Sequence, residues 1–125
     1  MRRTAALMIA LVTVAAAAAA EGASVTTPAP RAITLLHQGG TFELGARRSI
    51  SLRLPNARRF WSTPRRGGGS GTVSIHPVNY VRDPGFVEWR LTAKAPGRLT
   101  LTSFGRCNGC TPLVRRFRVR LVVRD

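Results

Sequence analysis

Acidic side chains are scarce in this chain: five Asp and Glu stand against twenty Lys and Arg in 125 residues. Glu21 and Asp125 lie at the margins, which leaves Glu43, Asp83 and Glu88 as the only carboxylates placed for general acid or base work. Proton transfer of that kind needs a positioned donor or acceptor, and no nucleophile elbow, phosphate-binding loop or metal-ligand motif accompanies them. The chain therefore reads as a non-enzyme. Histidine is equally sparse, and His37 and His76 lack the paired spacing of a four-ligand zinc site, so no metal or cofactor is expected. Helical periodicity is also missing after Ala20, which argues against helix-built folds.

What the chain has in excess is arginine. The formal net charge is +15, and Lys94 is the only lysine. A surface of that sign attracts polyanions, anionic lipid or acidic protein faces, with a strength that falls as salt rises. A genome biased in base composition would produce the same arginine excess with no binding role, and both readings stand at this point.

The first twenty residues are unlike the rest. Arg2 and Arg3 precede an uncharged, alanine-rich run over residues 4–20 that ends in six alanines before Glu21. A positive start, an apolar stretch and small residues at the exit are the layout of a secretory signal helix, cleaved after Ala20. An uncleaved membrane anchor is the alternative, although the run is short against the span of about 20 residues that a bilayer requires. The expected location is secreted, periplasmic or extracellular. Residues 21–31, with Ser, Thr and prolines, read as a flexible linker, and residues 32–125 have the length of one domain.

Within that domain the two-residue period of half-buried strands recurs between turn signals. Residues 33–37 and 41–44 open it. Ile50, Leu52 and Leu54 then alternate with Ser49, Ser51 and Arg53. A short strand around Phe60 and Trp61 precedes a glycine-rich stretch, residues 64–71, read as a mobile loop. After a strand over 72–75 and an irregular passage to Gly85, Val87, Trp89, Leu91 and Ala93 alternate with Glu88, Arg90, Thr92 and Lys94. Pro96-Gly97 turns the chain toward Leu99 and Leu101. The last strand sets Phe117, Val119, Leu121 and Val123 against Arg116, Arg118 and Arg120. About seven or eight such strands, each apolar on one face, close by packing two sheets together, which gives an all-β, immunoglobulin-like antiparallel sandwich with Trp61 and Trp89 in the core.

Two cysteines three positions apart, Cys107-Asn108-Gly109-Cys110, form a structural disulfide in an oxidising compartment. So small a ring contributes about 2 kcal/mol in the chain-entropy model and chiefly stiffens a loop tip. Thioredoxin-like redox work needs a helix after the first cysteine, and none is expected here.

From residue 87 to 104, through Ala95-Pro96-Gly97, and again over 117–123, the chain resembles the chagasin-like inhibitors of papain-type cysteine peptidases. Gly40-x-Phe42, Gly45 and the strand over 49–54 running toward Asn56 and Trp61 extend the resemblance across the domain. It implies the sandwich fold and inhibition through three loops at one end. In the first loop Asn56 and Trp61 match, while Ala57-Arg58-Arg59-Phe60 replaces the family's Pro-Thr-Thr-Gly core. In the second only Gly85 is compatible, since the triplet beginning at Gly67 lies too early. In the third Arg106 matches, without the following Pro and Trp.

The expected function is an exported, non-catalytic binding module that docks a protein, a cysteine peptidase by the resemblance. Arg58, Arg59, Phe60, Arg106, Asn108 and Gly109 make contact, and the Cys107–Cys110 bridge holds the third loop in shape. The rival reading uses Arg116, Arg118 and Arg120, spaced about 6–7 Å along one strand face, to bind an anionic polymer. No aromatics are expected to interleave on that face as a base-stacking platform requires, so specific nucleic-acid recognition is not expected. A solvated strand face that discourages edge pairing, in a purely structural domain, is the third reading.

Overall fold

The alternation of apolar and polar residues dictates strands, and the computed structural model shows them over the residues it describes, 25–125. The signal helix assigned to residues 1–20 lies outside these residues. Ten strands form: β1 (Thr26–Pro28), β2 (Ala32–Ile33), β3 (Thr41–Gly45), β4 (Ser49–Pro55), β5 (Phe60–Trp61), β6 (Arg65–Gly67), β7 (Thr72–Val78), β8 (Phe86–Ala95), β9 (Gly97–Arg106) and β10 (Val114–Arg124). Four of them are two or three residues long and sit beside longer partners, which accounts for the excess over the seven or eight expected.

One sheet runs β1-β3-β10-β9-β5, with β6 also paired to β9; the other runs β2-β4-β8-β7. This division, with the central pairs β4·β8 and β9·β10 antiparallel, is the immunoglobulin-type arrangement of two packed sheets. The sheets are mixed, however, rather than antiparallel throughout. β3 runs parallel to both β1 and β10, and β2 runs parallel to β4. All three parallel pairings come from the N-terminal segment, which alternates between the sheets: β1 joins one, β2 the other, and β3 returns to the first.

The crossover corrects two local expectations. Residues 33–37 are not one strand: Thr34 accepts from the Leu36 amide and exchanges a cap with the His37 imidazole, closing Leu35–His37 into a 3-10 turn. The lead-in assigned to residues 21–31 is also partly domain, because Thr26–Pro28 pairs with β3. The glycine-rich patch behaves similarly. Arg65 aligns with Thr102 in β9, and the Arg66 guanidinium donates to the Gly69 and Gly71 carbonyls.

The inward positions interdigitate into one core. Leu52, Leu54 and Leu91 from one sheet meet Leu101, Phe117, Val119 and Leu121 from the other, all essentially inaccessible to water. Burial of each such side chain stabilises by about 1.5–3 kcal/mol. Toward one end of β9 the inward residues shrink from Leu101 to Ser103 to Gly105, and the indole of Trp61 fills the space they leave. A Cβ on Gly105 would stand 2.8 Å from three atoms of that ring. Gly105→Ala should therefore destabilise by about 1–3 kcal/mol through overpacking, read as a lower denaturant midpoint with an unchanged slope.

Candidate functional site

Strand direction gathers three connections at one end of the sandwich. β4 leaves its sheet at Pro55, opposite Phe86 where β8 enters, so loop 56–59 lies against loop 79–85. β9 ends at Arg106, aligned with Phe60 on one side and Val114 on the other, so loop 107–113 stands next to 56–59. The glycine-rich turn is at the opposite end, where the Gly71 amide donates to the Arg98 carbonyl beside the Gly97 turn. It takes no part in this surface.

Each loop is tied down by its own side chains. The Asn56 amide donates to the Gly85 carbonyl at 3.1 Å, and its side chain donates to Asp83 Oδ1, which also accepts from the Gly85 amide at 2.8 Å. Gly85 has φ of +91°, the left-handed conformation that lets this turn close. Arg59 spans the gap to the third loop, donating to the carbonyls of Gly105 at 3.1 Å and Pro112 at 2.9 Å, with a longer contact to Leu113 at 3.4 Å. In the third loop Cys107 and Cys110 are bonded, with Cα atoms 5.4 Å apart, and the Cys107 amide donates to the Leu113 carbonyl.

These bonds sort the residues expected at the site. Arg58, Asn108 and Gly109 are exposed at the loop tips, and Phe60 projects with 85% of its surface open. Arg59 is instead a strut between loops, its donors spent on backbone. Trp61 is a core residue, 9% exposed, whose indole N–H donates to the Pro55 carbonyl at 2.8 Å. Asn56 and Gly85 shape the first two loops together. Arg106, the last residue of β9, aligns with Phe60 on the outer face of the sheet at the margin of the loop end. Between the tips and the core a hollow of about 220 Å³ is lined by Leu35, Pro55, Ala57, Arg58, Trp61 and Arg115.

Sequence reasoning missed two apolar tips, Val81 and Leu113, which are exposed beside Phe60's end of the molecule. It also placed Glu88 on a solvated face, where it is in fact buried. Glu88 accepts from Ser51 Oγ at 3.0 Å, Arg53 Nε at 2.8 Å and the Tyr80 hydroxyl. The Arg53 guanidinium carbon lies 5.0 Å from the centroid of the Phe86 ring, and Tyr80 meets that ring edge-on. Tyr80 belongs to loop 79–85, so this cluster anchors the second loop to the sheet.

Burial alone would push the Glu88 carboxyl up, but the bonds from Tyr80, Ser51 and Arg53 and the Arg53 charge outweigh it and hold it below the usual carboxylate range. Asp83 is held low too, by the Gly85 amide and then by Asn56. Accepting from the Tyr80 hydroxyl, Glu88 raises that phenol above its ordinary value. A carboxylate with a lower folded than unfolded pKa stabilises above the unfolded value, about 4, and the contribution disappears as pH falls through the folded pKa. The melting temperature should accordingly be flat near neutrality and drop below about pH 4. Glu88→Gln should melt lower at pH 7 and converge with the parent in acid; parallel curves at all pH values would contradict the assignment.

Arg116, Arg118 and Arg120 lie away from the loop tips, along the outer face of β10. Cross-strand register brings Phe104 of β9 opposite Arg116, which corrects the expectation that no aromatic shares this face. Among the described residues no group of three or more His, Cys, Asp or Glu is placed to hold a metal ion.

No protein-family model matches this sequence, and no curated protein matches it. Among solved structures, the fold is similar to the crystal structure of the cysteine protease inhibitor EhICP2 from Entamoeba histolytica. The TM-score is 0.53 at 13% identity, over 75% of this chain and 94% of that one. The solution structure of amebosin matches with a TM-score of 0.49 at 15% identity, over 77% of this chain and all of that one.

Proposed function

We propose that this protein is exported and inhibits papain-like cysteine peptidases by inserting its three-loop end into the active-site cleft. The observation that carries the reading is the convergence of loops 56–59, 79–85 and 107–113, braced by Arg59, Asp83 and the Cys107–Cys110 bridge and tipped by Phe60, Val81 and Leu113. Likeness of fold to a protein described as a cysteine protease inhibitor supports it.

The mechanism is occlusion without chemistry. Apolar tips bury against the walls of the cleft, and Arg58 and the polar backbone around Asn108 and Gly109 pair with its rim. Loops already held in shape lose little conformational freedom on docking, so more of the contact energy is expressed as affinity. Trp61 and Arg59 act from beneath, setting the height and spacing of the tips.

A panel of papain-like peptidases with a serine peptidase as control tests this. The expected result is competitive inhibition of the former, with KM raised and kcat unchanged, and none of the latter. Full activity of every papain-like enzyme at micromolar protein would overturn it.

A further inference from the structure

The arginines are not spread evenly over the molecule. The outer face of the sheet formed by β5, β6, β9 and β10 carries Arg65, Arg98, Arg106, Arg116, Arg118 and Arg120. None belongs to either ion pair found among the described residues, Arg53–Glu88 and Arg124–Glu43. Of the carboxylates, Asp83 and Glu88 belong to the opposite sheet and its loop, while Glu43 shares this outer face on β3, aligned with Val122 and engaged by Arg124.

This face is furrowed along β10. A groove of about 420 Å³ runs between Thr26 and Gly69 over Arg98, Thr100 and Arg120, and a second hollow of about 260 Å³ shares Arg120 and continues past Arg118 to Arg116. At its far end Phe104 stands opposite Arg116 with 47% of its surface open, and Phe60 is aligned with Arg106 in the next row. A charged track that leads to exposed aromatic rings on a sheet matches a flexible polymer with regularly spaced anions and flat, stackable groups.

We propose that this face binds single-stranded nucleic acid without regard to sequence. Guanidinium groups along β10 meet successive phosphates, a role to which their planar donor geometry is suited. Bases lie on Phe104 and Phe60, and sequence is not read because every base offers a π-face. A base-free polyanion would use the arginines alone.

The test is fluorescence anisotropy of the purified protein with a labelled oligothymidylate, inorganic polyphosphate of matched charge serving as the base-free comparator. Binding should weaken with salt, and the triple variant Arg116→Ser, Arg118→Ser, Arg120→Ser should flatten the log–log salt slope by about 0.7 for each phosphate that is no longer neutralised. Phe104→Ser should weaken the oligonucleotide by about tenfold and leave polyphosphate unchanged. Absence of oligonucleotide binding at low salt, or an identical response of both ligands to Phe104→Ser, would overturn the proposal. Neither variant touches the loop tips, so peptidase inhibition measured on the same samples reports the proposed inhibitor role separately.

Discussion

Trp61→Ala should lower the unfolding free energy by about 3–5 kcal/mol, the loss expected when a large buried aromatic is truncated. The ring fills the space above Ser103 and Gly105, where the neighbouring inward residues are too small to collapse into the cavity. Removing it also leaves the Pro55 carbonyl without the indole donor. Trp61→Phe should recover most of the loss, since it restores ring volume but not the hydrogen bond. Chemical denaturation measures both. A cost for Trp61→Ala near 0.5 kcal/mol, typical of a surface site, would mean that the indole does not pack between the loops.

Combined replacement of Phe60, Val81 and Leu113 by serine should weaken peptidase inhibition by about a hundredfold or more. Anchors that fill pockets contribute about 2 kcal/mol or more when truncated, and each 1.4 kcal/mol is a factor of ten. All three side chains are open to solvent, so the melting temperature should hold or rise slightly. This separation of affinity from stability is the reason to choose the tips rather than Arg59 or Asn56, whose loss would disturb loop shape as well. Equal inhibition by parent and variant would remove the loop end as the docking surface.

The long strands were legible because their burial alternates. Ile50, Leu52 and Leu54 face inward in β4, as do Trp89, Leu91 and Ala93 in β8, Leu99 and Leu101 in β9, and the apolar set of β10. Both cysteines also pair as their spacing suggested. The mixed pairing was not legible, because a two- or three-residue strand such as β1 or β2 has no alternation to read and its direction depends on which neighbour it reaches. Nor was the 3-10 turn, which hangs on the Thr34–His37 cap rather than on periodicity. β7 runs on through Pro77 to Val78, past the end expected at residue 75, because it lies at the edge of its sheet, where a missing N–H is tolerated.

The candidate site was legible in its loops and obscure in its roles. Arg58, Arg59 and Phe60 are adjacent in sequence, yet Arg58 and Phe60 are exposed at the loop end while Arg59 is a strut, a division that depends on loop 107–113, over fifty residues from Arg59 at Pro112. Glu88 fits an outward polar position, and only Tyr80 and Arg53 arriving from other segments bury it. The pairing of Phe104 with Arg116 likewise belongs to the register of two strands and is invisible along either one.

Amide hydrogen exchange of the protein bound to a papain-like peptidase tests the central claim most directly. New protection confined to 56–59, 79–85 and 107–113 is the predicted result, with β10 unchanged. Protection concentrated on the β10 face while the three loops exchange as in the free protein would contradict it.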